Sequence, residues 1–317
     1  MKHKYSIGIG LNLFDARAIL LREDGKIIAE IEKKRETITA NETIEVLLSL
    51  LEEIVDKSSK HKEEISKIGL ALGGIVNKKK GVVYWPQTQA TSYAQIALPL
   101  KDHLEKKFGF GVVIENDANA CAWAEYCLSF PKNKNLVYMF SGSGCGIVVD
   151  GKLYRGKYGG AGEPFLDPKG KLMSSRLGEF SFLRRWPADL EMVTRAKELI
   201  SLGKESSLIK KITSTGGLDL RSIFKESKKK DKVSREILRE GAFALGVKIA
   251  FLINLLNPEV VVVGGGLEEA GDFFLDECIS AIKSFSLNES RKGCKIVASG
   301  LSKKATSLGA AFIALHQ

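Results

Sequence analysis

The sequence predicts an α/β protein built from two domains of similar design that face each other across a cleft. Its 317 residues are enough for two hydrophobic cores. A run of three strands followed by alternating helices and strands occurs twice, before and after about residue 116. No low-complexity linker separates the two runs, and two facing α/β units leave a groove in which a ligand can bind.

The first run opens with strands predicted over 6–11, 16–21 and 26–32, in which apolar residues alternate. The turn Glu23-Asp24-Gly25 between the last two indicates a hairpin. Asn41 can cap a helix over 42–56, whose apolar residues recur at helical spacing. The run continues with a strand over 68–72 that ends at Gly73 and Gly74, a strand over 82–84, a helix over 98–108 and a strand over 111–114.

The second run begins with an alanine-rich helix over 117–128. A long, polar and mostly helical region is predicted over 189–240. It precedes a strongly apolar helix over 241–256, which contains Lys248 and falls short of the ~20 residues that a membrane span requires. The other predicted elements are strands over 136–140, 146–149, 153–154, 260–263 and 295–298, and helices over 267–285 and 305–316.

Composition and charge favour a soluble, cytoplasmic protein without a nucleic-acid or membrane partner. The net charge is +10, but the lysines form short clusters in polar stretches, and no basic stripe is interleaved with aromatic residues. The N-terminus enters a strand rather than the apolar core of a signal peptide. The lysine clusters lie at 78–80, 210–211 and 228–230.

The cysteines and histidines argue against a disulfide framework, a cysteine zinc site and a histidine-dependent triad. The number of cysteines is odd, and no Cys-x-x-Cys pair occurs. The four histidines lie in polar surroundings or at the chain ends. Any general base should therefore be a carboxylate.

One candidate site follows the strand over 111–114. Asp117 stands at the carboxyl end of that strand, where open α/β sheets bind ligands, and it can accept a proton from a substrate hydroxyl. Asn116 can hydrogen-bond another hydroxyl. The alternative is that these two residues only cap the following helix.

Three glycine-rich segments are further candidates, and each has a purely structural alternative. The turn Ser141, Gly142, Ser143 and Gly144 can approach a phosphate, or it is a hairpin turn. Gly264, Gly265 and Gly266 lie between a strand and a helix and can present amides to a nucleotide, or they form a tight crossover. Glu163 follows a glycine loop and can bind sugar hydroxyls, or it lies in a flexible surface loop.

Taken together, these segments resemble the ROK family of sugar kinases and transcriptional repressors, within the actin/hexokinase-like superfamily. The most specific segments are IENDANACAWAE at 114–125, GKLYRGKYGGAGE at 151–163 and INLLNPEVVVVGGG at 253–266. They occur in the family's order and spacing, and the resemblance covers nearly the whole chain. It implies two ribonuclease H-like domains that flank a cleft. We expect the smaller domain over 1–116 plus 304–317 and the larger over 117–303.

The resemblance also implies roles for the candidate residues. Asp117 matches the general base of the sugar kinases, and Asn116 and Glu163 match sugar-binding residues. The turn at 141–146 matches a segment on the nucleotide phosphates, and the loop at 264–266 matches one near the adenosine. Magnesium ATP would be the phosphoryl donor. We also place Gly73 and Gly74 in the sugar cleft.

This sequence departs from the family's pattern at three places. The first phosphate loop, Asp-x-Gly-Gly-Thr-Lys in the family, here reads GLNLFD at 10–15, and Asp15 is displaced to the other face of an extended segment. Leu166 stands at the histidine position of the zinc motif, and 172–179 has no cysteine, so we expect no zinc. Glu179 is a weak candidate for a further sugar-binding glutamate, and Gln87 replaces an asparagine that contacts sugar.

Two functions follow from this pattern. The first is ATP-dependent phosphorylation of a hexose or amino sugar, with Asp117 as general base. The second is a sugar-binding protein that has lost catalysis, because the grip on the triphosphate is degraded. A DNA-binding repressor is disfavoured, since the chain starts at the first strand without a helix-turn-helix module. The resemblance further implies a homo-oligomer, either a dimer or a tetramer.

Overall fold

The first half of the chain folds into strands β1 to β8 and two helices. A computed structural model describes residues 3–12, 14–34, 40–86, 95–141, 144–163, 190–212 and 217–316. The elements of the first half are β1 (Tyr5–Leu11), β2 (Asp15–Arg22), β3 (Ile27–Lys34), α1 (Ala40–Lys57), β4 (Ile65–Leu72), β5 (Ile75–Asn77), β6 (Val82–Pro86), β7 (Gln95–Leu98), α2 (Leu100–Phe108) and β8 (Gly111–Asn116).

The second half contributes strands β9 to β13 and the remaining helices. In chain order these are α3 (Asp117–Leu128), β9 (Leu136–Phe140), β10 (Gly144–Val149), β11 (Lys152–Tyr154), α4 (Leu190–Ser201), α5 (Ile209–Ile212), α6 (Leu220–Lys228), α7 (Lys232–Leu256), β12 (Val260–Gly264), α8 (Asp272–Phe285), α9 (Asn288–Arg291), β13 (Lys295–Ala298) and α10 (Ala305–His316).

The two halves form five-stranded sheets with the same topology. The first sheet has the order β3-β2-β1-β4-β8, and the second has the order β11-β10-β9-β12-β13. In each sheet the first three strands of the run are antiparallel, and the two later strands pair in parallel. The short strands β5, β6 and β7 form a separate small sheet. The repeated α/β design predicted from the two strand runs is therefore confirmed.

Each half has its own hydrophobic core because its central strands are apolar on both faces. All residues of β1 and β12 are buried, as expected for parallel strands covered by helices on both sides. One core joins β1, β2 and β4 to α1 and α2. The other joins β9, β10 and β12 to α4, α6, α7 and α8.

Helix α10 crosses the first sheet and α3 at very short range. A Cβ atom on Gly8 of β1 or Gly69 of β4 would overlap with backbone oxygens of α10, and one on Gly309 would overlap with the carbonyl oxygen of Ala120 in α3. The Ser6 hydroxyl donates to the Ala311 carbonyl oxygen at 2.9 Å. The last helix thus covers the first sheet, while the domain boundaries near 116 and 304 stay predictions.

The helices of the second half differ from the predicted ones at two places. One continuous helix, α7, spans Lys232–Leu256. The predicted boundary at residue 240, between a polar helical region and a separate apolar helix, is therefore wrong. The predicted helix over 267–285 is interrupted, because Gly271 has a φ of 84° and separates a short 3-10 turn at Leu267–Ala270 from α8. A left-handed residue cannot continue a right-handed helix.

The helices found in the described ranges were also compared with the length and apolarity that a bilayer demands. None of these helices meets both requirements for crossing a membrane.

Candidate active site

The junction between β8 and α3 places Asn116 at the centre of the candidate site. Its side-chain Oδ1 accepts a hydrogen bond from the Asn119 amide at 3.0 Å and so caps the helix. Its Nδ2 donates to the Gly74 carbonyl oxygen at 3.1 Å and to Glu163 Oε1 at 3.3 Å. The cap interpretation is therefore confirmed for Asn116, whose side chain also joins three segments of the chain. Its role in binding a ligand stays a prediction.

Asp117 is the first residue of α3 and presents its carboxylate at the positive end of that helix. Its Oδ1 accepts a hydrogen bond from the Ala118 amide at 2.8 Å. Its Oδ2 lies 3.4 Å from the position that a Cβ atom on Gly73 would occupy. The side chain is partly exposed, and a carboxylate in this position has the chemistry to accept a proton from a hydroxyl group.

Glu163 approaches the same place from the loop that follows β11. Its Oε2 lies 3.3 Å from the position of a Cβ atom on Gly144. Burial raises the pKa of Glu163 to about 8, and the negative charge of Asp117 adds to that effect, while the Asn116 amide opposes it. Near neutral pH this side chain is therefore mostly a carboxylic acid that can donate as well as accept a hydrogen bond.

The raised pKa of Glu163 predicts that the protein loses stability as the pH rises. The unfolded chain releases this proton near the ordinary value of 4.5, whereas the folded protein keeps it until about pH 8. Protonation of Glu163 therefore contributes stability that is fully present below pH 4.5, is lost as the pH rises through about 8, and changes no further above that. A shift of this size corresponds to a loss on the order of 5 kcal/mol.

Urea unfolding at pH 5, 7 and 9 measures this effect. Glu163→Gln, which stays neutral at every pH, should flatten the profile and be more stable than the wild type at pH 9. Profiles that run parallel for the wild type and the variant would contradict the prediction.

The two predicted nucleotide turns lie against each other at the ends of β9 and β12. The backbone amide of Ser141 donates to the Gly264 carbonyl oxygen at 3.2 Å, and its hydroxyl donates to the Gly265 carbonyl oxygen at 2.9 Å. The Gly265 amide donates to the Tyr138 hydroxyl at 2.9 Å. These backbone amides are therefore engaged by protein acceptors.

The backbone amide at the end of the second turn is already hydrogen-bonded to a carboxyl group. The Gly266 amide donates to Glu268 Oε2 at 2.8 Å. Burial raises the pKa of Glu268. A phosphate that approached this amide would have to displace the carboxyl group of Glu268, which already satisfies the donor.

The turn between β1 and β2 inserts into the second half of the molecule. Asn12 Oδ1 accepts hydrogen bonds from the amides of Phe14 and Asp15, both at 2.7 Å, and so shapes the turn. The Phe14 side chain is buried in the core of the second half. Its ring lies 6.1 Å from the Phe224 ring at nearly a right angle, and the Arg221 guanidinium lies 4.4 Å from its centroid.

Asp15 completes this insertion with ion pairs. Its carboxylate is 1% exposed and pairs with Arg221 Nη2 at 3.0 Å and Lys303 Nζ at 3.5 Å. Glu269 lies 3.6 Å from the same two cations. We call Phe14, Asp15, Arg221, Glu269 and Lys303 the interdomain latch.

The described residues around the two turns and the latch do not fit magnesium triphosphate. The first loop is anchored by the Phe14 ring in the core of the second half, the cations of the latch are paired with carboxylates, and Glu268 is hydrogen-bonded to the Gly266 amide. A triphosphate here would have to compete with Asp15 and Glu269 for Arg221 and Lys303. Across the described ranges, histidine, cysteine, aspartate and glutamate form no group of three that could hold a metal ion.

Some predicted site residues lie outside the described residues. These are Gln87, Gly142, Ser143 and Glu179, together with Leu166 of the expected zinc motif. Their roles stay predictions.

Sequence reasoning missed the ionic partners of the site. Arg221 is 206 residues from Asp15 in the chain, and no local pattern links the two. Glu115 and Arg155 lie within the segments that resemble the family, yet nothing in their spacing indicates that they pair. Only the fold brings these charges together.

Comparison with known proteins identifies relatives of both functional kinds. A model of the ROK family matches residues 5–164 and 198–317. The glucokinase of Streptomyces coelicolor is 28% identical over 319 residues, which cover 98% of this chain and 97% of the relative. The xylose repressor of Caldicellulosiruptor bescii is 29% identical over 313 residues, which cover 96% of this chain and 76% of the repressor.

A solved structure shares the fold. The ROK family glucokinase from Streptomyces griseus, in complex with glucose and AMPPNP, superposes with a TM-score of 0.75 at 23% identity and covers 99% of this chain and 100% of that chain. This likeness shows the fold, two α/β domains of the actin/hexokinase-like type, as predicted.

Proposed function

The chain belongs to the ROK family, and on that premise we propose that it binds a hexose or amino sugar at Asn116, Asp117 and Glu163 without transferring phosphate to it. The observation that carries this proposal is the pair of hydrogen bonds from the Asn116 amide to Glu163 and to the Gly74 carbonyl. They hold the Glu163 carboxyl group and the Gly74 carbonyl at the start of α3, beside the Asp117 carboxylate, and so gather the few polar groups that recognition of a polyhydroxylated ligand requires.

The three side chains offer complementary hydrogen-bonding chemistry. Asp117 accepts from hydroxyl groups, and Glu163 in its neutral form both donates and accepts. The Asn116 amide can exchange its protein acceptors for sugar oxygens. The glucokinase relative and the glucose complex of the Streptomyces griseus enzyme support a sugar of the hexose class.

The interdomain latch supports the view that binding is not followed by phosphoryl transfer. Phosphoryl transfer rests on positioning the phosphates and stabilising their charge. Here the matching first loop carries the buried ring of Phe14, and Asp15 neutralises Arg221, one of the cations that face it. The residues present therefore favour a sugar-binding relative of the kinases.

ATP-dependent phosphorylation with Asp117 as general base is the second candidate. The partly exposed carboxylate of Asp117 at the start of α3 favours it, because the same carboxylate that accepts a hydrogen bond from a sugar hydroxyl can also take its proton. Homo-oligomerisation and the absence of a nucleic-acid partner stay expectations.

Sugar binding is tested by calorimetry with a panel of hexoses and amino sugars. Asn116→Asp keeps the cap oxygen of α3 but loses the amide donor to Glu163 and Gly74. We expect its sugar Kd to rise at least about tenfold, because the amide donor is lost at the ligand. Its Tm should fall as well, since the new carboxyl oxygen faces the Gly74 carbonyl and Glu163, so binding is measured well below the Tm of the variant. Asn133→Asp, at a surface asparagine that pairs with Glu259, is the matched control and should bind normally.

The two candidates are separated by an ADP-release assay with the same sugars and by thermal shift with magnesium ATP. Sugar binding with neither ADP release nor a shift by the nucleotide supports the proposal. ADP release that disappears in Asp117→Asn overturns it in favour of the kinase. If no sugar of the panel binds to the wild type, the proposed function is wrong.

A further inference from the structure

Glu115, the residue before Asn116, is a buried carboxylate to which the proposed function gives no role. It is 2% exposed at the end of β8. Its Oε2 pairs with Lys78 Nζ at 2.7 Å and with Arg155 Nε at 2.8 Å. Its Oε1 accepts hydrogen bonds from the backbone amide of Asn116 and from Asn119 Nδ2, each at 3.2 Å. This single side chain therefore binds four donors from three parts of the chain.

Each of these parts carries a residue of the proposed sugar site. Lys78 follows β5, the strand that begins directly after the turn of Gly73 and Gly74. Arg155 begins the loop that ends at Glu163. The two Oε1 contacts lie at the start of α3, which carries Asp117.

The loop between Arg155 and Glu163 can transmit the position of one end to the other. The Ala161 amide donates to the Arg155 carbonyl oxygen at 3.2 Å, which closes the loop on itself. The Cys145 amide donates to the Gly162 carbonyl oxygen at 2.7 Å, which fixes the end of the loop to β10. A displacement of Arg155 therefore strains the bonds that hold Glu163.

Removal of the Glu115 charge would affect both cations. Lys78 and Arg155 have side chains that are 30% and 27% exposed, so each is largely withdrawn from water. A partly buried cation that loses its carboxylate moves toward solvent, because the desolvation cost is no longer offset.

We propose that Glu115 is a positioning residue that sets the Gly73–Gly74 turn, the start of α3 and the Glu163 loop relative to one another for sugar binding. This inference rests on the proposed function for its ligand and on the contacts above for its geometry. Glu115 does not touch the sugar and acts through Asn116, Lys78 and Arg155.

Glu115→Gln keeps the shape of the side chain and one acceptor oxygen while it removes the charge. We expect the sugar Kd to rise about tenfold. Arg155→Met should have a similar effect. The Kd of the double variant should not exceed the larger of the two single-variant Kd values, because both substitutions break the same connection. Arg155→Lys should restore part of the affinity. Glu259→Gln, which alters a partly buried carboxylate before β12, should leave the Kd unchanged.

A second readout needs no sugar. The free energy of unfolding is measured against pH for the wild type and for Glu163→Gln. The difference between the two profiles reports the titration of Glu163. Glu115→Gln should move the midpoint of that titration toward lower pH, because a displaced loop exposes the Glu163 carboxyl group to water.

The two readouts separate the failure of this inference from the failure of the proposed function. An unchanged Kd in folded Glu115→Gln, or additive effects of the two single variants, overturns the positioning role while sugar binding stands. If the wild type binds no sugar, the proposed function fails. The midpoint of the Glu163 titration then decides alone whether Glu115 positions the loop. An unshifted midpoint in Glu115→Gln overturns the positioning role.

Discussion

Alanine at Gly309 should lower the free energy of unfolding by about 3 kcal/mol or more. The new Cβ atom would overlap with the carbonyl oxygen of Ala120, so the backbones of α10 and α3 have to separate. Inserting one methyl group into a packed core typically costs about 1–3 kcal/mol, and the cost reaches the upper end where the obstacle is backbone rather than a flexible side chain. Urea unfolding followed by circular dichroism measures the change.

The control for this substitution is Gly300→Ala. Gly300 has no atom within 4 Å of the Cβ position, so the same chemical change should leave the unfolding midpoint nearly unchanged. Equal midpoints for the two alanine variants would show that α10 and α3 do not approach each other as described.

Removal of the Phe14 side chain is expected to have a comparable effect. Phe14→Ala leaves a cavity between Phe224 and Arg221 and takes away the ring that joins the first loop to the second core. Phenylalanine-to-alanine substitutions in cores cost about 3–5 kcal/mol, and we expect about 3 kcal/mol here because the site lies at a domain contact.

Phe273→Ala is the matched control for the latch. The Phe273 ring also lies beneath arginine side chains, at 4.4 Å from Arg235 and 5.6 Å from Arg239, but it is partly buried and belongs to α8 rather than to the β1–β2 turn. Its loss should cost markedly less. A smaller effect at Phe14 than at Phe273 would mean that the first loop is not anchored in the second half.

The two strand runs predicted the repeated α/β design, and the resemblance implied its ribonuclease H-like form. The sheet order was not predicted, because neighbours in sequence tend to pair, whereas β4 pairs with β1 and not with β3. The small sheet of β5, β6 and β7 was not predicted as a unit, since β5 and β7 are short and lack a clear alternation. Gly271 shows that one left-handed residue can end a helix whose apolar pattern continues.

The sequence predicted the candidate site only where its residues lie beside a recognisable element of the chain. Asn116 and Asp117 are adjacent to a strand end, and the structure places Glu163 beside them. The displacement of Asp15 was visible in the sequence, but its pairing with Arg221 and Lys303 was not, because local patterns define the face of an element and not its distant partner.

The position of α10 has a consequence for synthesis on the ribosome. Ser6 and Ala311 are hydrogen-bonded across 305 residues, and translation at about 5–20 residues per second separates their appearance by roughly 15–60 s. During that interval the face of the first sheet lacks the helix that later covers it, and such long-range closure is slow even in a finished chain. We therefore expect a nascent protein of this design to be most prone to aggregation before α10 emerges.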